Sequence, residues 1–391
     1  MIAAVLALAV APAAFAATYP LAESWSGSNF FNGWNPDPST YDNTTNGDVF
    51  WGRPATNASL YYTTSSGTTV LKVDNTSSVV YNEKRYAPKL LSKTAYPVGT
   101  VWVMDAVHMP YGCSVWPAFW TQGPNWPAGG EIDIVEGVNL QQGNQVAVHA
   151  ASGCTATPIG ATTGSLTASN CTGGAGNAGC TYKDINANSY GAAFAAAGGG
   201  VYVTELASDG IRVWFLSRSA VPSSLSASAT SIDTSTLGTP VASYSSSSCN
   251  VASLFGPQTM TLTITLCGDW AAVPSILGAT CPALVGSETC YTTYVINEPG
   301  TKYNNAYFEI NYVNVYSSST ASGGSAQTSS RSASASSGAT TTVGTRASGT
   351  TASGAAASSS RAAGIKRLEG VSLGWMAGVA LGLMGGAAMV L

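Results

Sequence analysis

The chain has 391 residues, a net charge of −4 and only 9% charged residues. That length admits one large domain with appendages, and the charge balance excludes a basic nucleic-acid footprint. Glycine, at 43 residues, and long runs of Ser, Thr and Ala take the place of the missing charges.

In chain order, residues 1–16 read as a signal peptide: an apolar run over 2–10 leads to the small-residue cleavage pattern Ala14-Phe15-Ala16. No Lys or Arg precedes that run, so the α-amine is its only positive charge. Sequons at Asn43, Asn57, Asn75 and Asn170 fit a secreted chain, although Cys171 lies inside the last. The eight cysteines are Cys113, Cys154, Cys171, Cys180, Cys249, Cys267, Cys281 and Cys290, and none forms a C-x-x-C pair. An even set of this kind fits an oxidising compartment with up to four disulfides, of open connectivity.

Residues 17–316 are expected to carry the fold. Strands are predicted over 70–74, 101–109, 131–136, 145–150, 201–206, 211–217 and 307–316, separated by Gly, Pro, Asn and Ser clusters. Over 260–266, Met260, Leu262, Ile264 and Leu266 alternate with three threonines, the period of a strand with one buried face. No amphipathic helix pattern of useful length intervenes. The expectation is an all-β chain, a jelly-roll β-sandwich with a concave substrate cleft.

Residues 317–360 are nearly all Ser, Thr, Ala and Gly, and cannot bury enough surface to offset the entropy of ordering; they read as a disordered linker. Residues 361–391 then give a polar spacer and an apolar tail over 371–391, which after the small residues Ser358 to Ser360 matches a GPI-attachment signal. The alternative is a retained transmembrane helix, but Lys366 and Arg367 precede the tail and nothing basic follows it, against the usual orientation bias. The protein is thus expected at the cell surface or in the wall, touching the membrane only through this anchor and otherwise monomeric.

The stretch Glu131-Ile132-Asp133-Ile134-Val135-Glu136 packs three acids into six residues. On a regular strand Glu131 and Asp133 share a face while Ile132 and Ile134 point to the core. Glu136 would then fall on the wrong face, unless one extra residue, a β-bulge near Ile134-Val135, restores the parity. Crowded like charges drive carboxyl pKa values apart. Retaining glycoside hydrolysis uses that division, with a nucleophile and an acid/base about 5–5.5 Å apart. Calcium ligation and a solvated acidic face are the alternatives, the first without EF-hand spacing and the second at odds with the branched apolar neighbours. Trp120 and Trp126 suit stacking against pyranose C–H faces. Trp116 shares the face of Trp120 at period 2 and is assigned to the core, and Trp270 is a further cleft candidate.

This stretch resembles the E-x-D-x-x-E signature of glycoside hydrolase family 16, in particular the fungal laminarinases, endo-β-1,3(4)-glucanases. The resemblance extends through Trp116-Pro117-Ala118-Phe119-Trp120, Gly123-Pro124-Asn125-Trp126-Pro127, Gly137-Val138-Asn139, Val148-His149, Cys267-Gly268-Asp269-Trp270 and Tyr307-Phe308-Glu309-Ile310, and covers about residues 20 to 316. It implies that Glu131 is the nucleophile, Glu136 the acid/base, and Asp133 the residue that hydrogen-bonds the nucleophile and tunes both. His149, expected on the next strand roughly opposite Asp133, would face the cleft with Ala147, while Val146 and Val148 point inward. Where the family carries an Arg, this chain reads Ala87-Pro88-Lys89, so Lys89 is expected to bind substrate with the charge kept and the bidentate fork lost.

The implied activity is endo-hydrolysis of β-1,3 or mixed-linkage β-glucan, with no cofactor required and no metal at the site. A structural Ca²⁺ elsewhere is compatible with the fold, but no cluster demands one. Wall transglycosylation is the alternative within the chemistry, although cross-linking relatives have an unbulged E-x-D-x-E spacing. A non-catalytic glucan-binding protein is the alternative outside it, and both glutamates are present here.

Overall fold

The computed structural model describes residues 18–174, 178–296 and 300–318. Among them two antiparallel sheets, of nine and eight strands, carry the architecture. The eight-stranded sheet runs, edge to edge, through Ser165–Ala168, Cys180–Lys183, Gln145–His149, Glu131–Glu136, Val115–Gln122, Gln258–Leu266, Lys89–Tyr96 and Trp34–Pro36. The main path of the other includes Thr18–Ser26, Tyr307–Ser317, Thr100–His108, Gly200–Ala207 and Gly210–Ser217. Strands distant in sequence are neighbours in both, which is the jelly-roll arrangement. The long α-helices absent from the sequence pattern are absent among the described residues too: the longest α-helix is Gly191–Ala196. No described helix is long and apolar enough to cross a membrane. The signal peptide, most of the linker and the C-terminal signal lie outside the described residues. The last strand continues to Ser317, one residue into the segment assigned to the linker.

Each sheet gives alternate side chains to a shared core. Phe119, Ile132, Ile134, Val146, Val148, Met260, Leu262 and Ile264 come from one side; Trp102, Met104, Ala106, Phe308, Ile310, Val313 and Val315 come from the other. At about 25 cal/mol per Å² of apolar surface removed from water, this layer is the main stabiliser of the fold. A second cluster covers the back of the nine-stranded sheet, where Val101, Val103, Val201 and Val203 pack with Leu225, Ile232 and Leu237. Strand Thr100–His108 is therefore buried on both faces, which explains the apolar run over 101–104. The Thr positions of Gln258–Leu266 also differ from the one-faced expectation. Thr261 and Thr265 are buried, and Thr263 and Thr265 line the cleft on the outer face of the strand.

All eight cysteines are paired: Cys113 with Cys281, Cys154 with Cys249, Cys171 with Cys180, and Cys267 with Cys290.

Candidate active site

A cleft of about 720 Å³ lies on the outer face of the eight-stranded sheet. Its floor follows the parity of three strands. Trp116, Ala118, Trp120 and Gln122 come from one, Glu131, Asp133 and Glu136 from the next, and Gln145 and His149 from the third. Thr263, Thr265, Asp269 and Trp270 close one side, and Trp126 and Ala178 lie on the wall as well.

The bulge occurs where the parity argument requires it. Glu131 pairs with Gln122 and Asp133 with Trp120, but the register then slips, so that Glu136 meets Ala118. On the other side the register slips between Asp133, opposite Ala147, and Glu136, opposite Gln145. A side chain fills the gap this leaves in the ladder. Asn144 Nδ2 donates to the Ile134 carbonyl at 2.8 Å, and Asn144 Oδ1 accepts from the Glu136 backbone N–H at 2.9 Å. At the start of the acid strand, Gly130 has φ +75° and packs so closely on Phe255 that a Cβ would lie 2.3 Å from its ring. Only glycine gives the chain this turn into the strand.

The three acids share one face and differ in surroundings. Burial, then the Asp133 charge, pushes Glu136 up to about 8, against the pull of the Trp116 indole, whose Nε1 donates to Glu136 Oε1 at 2.8 Å. Glu131 is also raised, by burial and then by Asp133, while His149, and a hydrogen bond from Trp126, act the other way. Asp133 is raised by burial and hydrogen-bonds Glu131. A cluster in this state holds protons at neutral pH that exposed carboxyls would have lost. His149 is opposite Glu131 in the strand register rather than Asp133, which meets Ala147. Its ring nonetheless leans along the face, with Nε2 3.4 Å from Asp133 Oδ2. Glu131, Asp133 and His149 offer ligand atoms within 4.8 Å of one another, a spacing a divalent ion could bridge.

Two assignments need correction. Trp116 is not a core residue: it lines the cleft, holds Glu136, and meets Trp270 edge to face at 5.6 Å. The signal was in the sequence, since Trp116 shares parity with Trp120, and a cleft role for one implies it for the other. Lys89 does not line the cleft. It is 3% exposed, its Nζ lies 3.0 Å from Asp37 Oδ2, and the same ammonium sits 5.3 Å from the Trp51 ring and 6.0 Å from the Trp120 ring. It braces Trp120 from beneath, by a cation–π contact. Trp120 is further held by its Nε1, which donates to Thr263 Oγ1 at 3.1 Å. Trp126 is 47% exposed on the rim, and its ring lies 6.4 Å from that of His149. Gln122 and Gln145 were missed, although they continue the same period-2 faces as Trp120 and His149.

Among the described lining residues none is Lys or Arg. Aromatic planes with carboxyls and amides form a surface for neutral sugars rather than anionic polymers. Such a cleft on this sandwich marks a carbohydrate-active protein. The chain belongs to glycoside hydrolase family 16: residues 38–316 match the family described as the XgeA-like, catalytic GH16 domain. A probable endo-1,3(4)-β-glucanase of Aspergillus fumigatus is 38% identical over 319 residues, which is 79% of this chain and 47% of that protein. The endo-1,3(4)-β-glucanase xgeA of Emericella nidulans is 36% identical over 312 residues, 77% of this chain and 48% of its own. The chain thus spans about half the length of these relatives. Laminarinase 16A from Phanerochaete chrysosporium, with 6-O-glucosyl-laminaritriose in both donor and acceptor sites, is similar at a TM-score of 0.70 and 36% identity, over 77% of this chain and 100% of that one. An elongating family 16 β-1,3-glucosyltransferase is similar at a TM-score of 0.68 and 34% identity, over 76% and 100% respectively.

Proposed function

We propose that this protein is a retaining endo-β-1,3(4)-glucanase. The observation that carries the reading is the bulged acid strand, which sets Glu131, Asp133 and Glu136 on one face of an aromatic cleft. In this reading Glu131 attacks the anomeric carbon as its glycosidic C–O bond breaks, and Glu136 gives its proton to the leaving oxygen. Water then enters, Glu136 takes its proton, and the glycosyl–Glu131 bond is cleaved. Glu131 must be charged while Glu136 is protonated. A hydrogen bond from the Trp126 indole and the nearby His149 ring favour charge on Glu131, and burial favours the proton on Glu136. Trp120, Trp126 and Trp270 would supply the sugar platforms, and His149 would hold Asp133 in place. No step calls for a cofactor, so dialysis against EDTA should leave turnover unchanged.

Glu131→Gln and Glu136→Gln should each lower kcat on laminarin by about 10²–10⁴-fold or more with an unchanged melting curve. Near-normal turnover in Glu131→Gln would refute the assignment. NMR of the first-formed anomer should show β, as retention demands, and an initial α-anomer would mean inversion.

Transfer to a sugar hydroxyl in place of water is a second reading, favoured by the likeness to the elongating glucosyltransferase. Product analysis with and without an added oligosaccharide acceptor separates the two. The protein would act outside the cell, held there by the lipid anchor that the C-terminal signal directs. Release of activity from intact cells by phosphatidylinositol-specific phospholipase C tests that tether.

A further inference from the structure

The sequon Asn43-Thr44-Thr45 is unlike the other three in its position: all of its residues line the cleft. The loop is fastened to the sheet beneath it. Buried Asp42 accepts from the Thr44 backbone N–H at 2.9 Å and from Thr265 Oγ1 at 2.7 Å. Asn46 Nδ2 donates to Asp269 Oδ2 at 2.9 Å, the Asp269 N–H donates to the Thr45 carbonyl at 2.9 Å, and Gly47 bridges Cys267. These contacts hold the loop to the Asp269–Trp270 corner of the cleft. Asn43 itself is exposed, and its amide makes no hydrogen bond among the described residues. Of the other sequon amides, Asn75 Nδ2, the atom that a glycan would take, donates to Asn304 Oδ1 at 2.7 Å, whereas Asn57 and Asn170 are engaged through Oδ1, which accepts from the backbone N–H of Arg53 and of Thr172.

We propose that Asn43 carries an N-linked oligosaccharide that stands on the rim of the cleft and restricts entry of branched β-glucan at that end. The inference rests on the proposed glucanase activity and on passage through the secretory pathway. There a transferase moves the oligosaccharide from a lipid pyrophosphate donor. Asn43 Nδ2 forms the bond to the anomeric carbon as the C–O bond to pyrophosphate breaks, the amide proton passes to the transferase, and the lipid pyrophosphate leaves. Asn43→Gln removes the acceptor without touching the Asp42 contacts. The glycan would be rooted beside Trp270 and Thr265, near the Trp116 end of the floor. Gln122, close to the other end, is six residues further along the same strand, on the order of 20 Å away. A bulky hydrated group fixed there narrows the Trp116 end of the cleft. Linear chains would pass beneath it, and side branches would collide with it.

The test uses the full chain secreted from a glycosylating yeast. Peptide mass should show Asn43 occupied, with the added mass absent in Asn43→Gln. Trimming the wild-type glycan to a single sugar with endoglycosidase H should raise kcat/KM on branched laminarin by about threefold. The rate on a linear laminari-oligosaccharide should not move. An unmodified Asn43, or a trimmed enzyme no faster on the branched polymer, would overturn the proposal. If no form cleaved any β-glucan, the proposed activity would fall instead. Peptide mass, with retention of trimmed and untrimmed protein on insoluble branched glucan, would still decide the role of the glycan.

Discussion

At the scale of single residues, the cleft is an arrangement for keeping one proton. Glu136 is held to about 8, from an ordinary 4.5, by burial and then by the charge on Asp133. In the proposed mechanism the protonated form is the working acid, so kcat should fall as pH rises past about 8, and Glu136→Gln should lose that limb of the profile. The same proton bears on stability. The folded chain keeps it where the unfolded chain releases it, so this contribution is complete below about 4.5 and is lost as pH rises through about 8. The Trp116 indole pulls the other way by donating to the carboxylate form. Trp116→Phe keeps a ring and removes that donor. It should move the basic limb to still higher pH, with a reduced kcat, in a pH–rate profile on laminarin. A profile that did not move would make Trp116 a sugar platform alone.

At the scale of elements, the acid strand was legible because parity is a hard constraint. Two acids at i and i+2 and a third at i+5 can share a face only through an extra residue. The partner that stabilises the bulge was not legible, since Asn144 lies in the hairpin loop and nothing in local pattern marks its side chain as a substitute for ladder bonds. It is buried, its backbone N–H donates to Ser189 Oγ at 2.8 Å, and its carbonyl accepts from Asp184 at 2.9 Å, so it is locked before it reaches the bulge. Asn144→Ala leaves the Ile134 carbonyl and the Glu136 N–H unpartnered. It should cost about 1–3 kcal/mol in denaturant unfolding and lower kcat in the surviving folded enzyme, because Glu136 loses the bond that fixes its backbone. Strand Val115–Gln122 escaped the pattern for a different reason. Pro117 speaks against an interior strand, yet the pairing with the acid strand reaches only Ala118, so the ring lies outside that ladder. Lys89 misled because the binding role implied by the family's Arg was carried over to it, and its partner Asp37 is far off in sequence.

At the scale of the whole molecule, the sandwich was readable from strand alternation and the cleft from the acids. The disulfide pairing was not, because spacing alone does not say which loops meet. The four bridges divide by span. Cys113–Cys281 closes 168 residues and ties the entry of strand Val115–Gln122 to the segment after the Asp269–Trp270 corner, whereas Cys171–Cys180 closes only 9 beside the His149 strand. In the chain-entropy account the cost of losing a bridge grows with the logarithm of the loop it closes. Removing the first pair with Cys113→Ser and Cys281→Ser should therefore cost about 5 kcal/mol, and removing the short one with Cys171→Ser and Cys180→Ser about 3 kcal/mol. Denaturant unfolding of the two double variants checks the order. The short bridge has a local role that the entropy term omits, because Cys180 pairs with Val148 in the strand beside the acids. If the variant without it proved the less stable, the packing of that hairpin would outweigh loop closure.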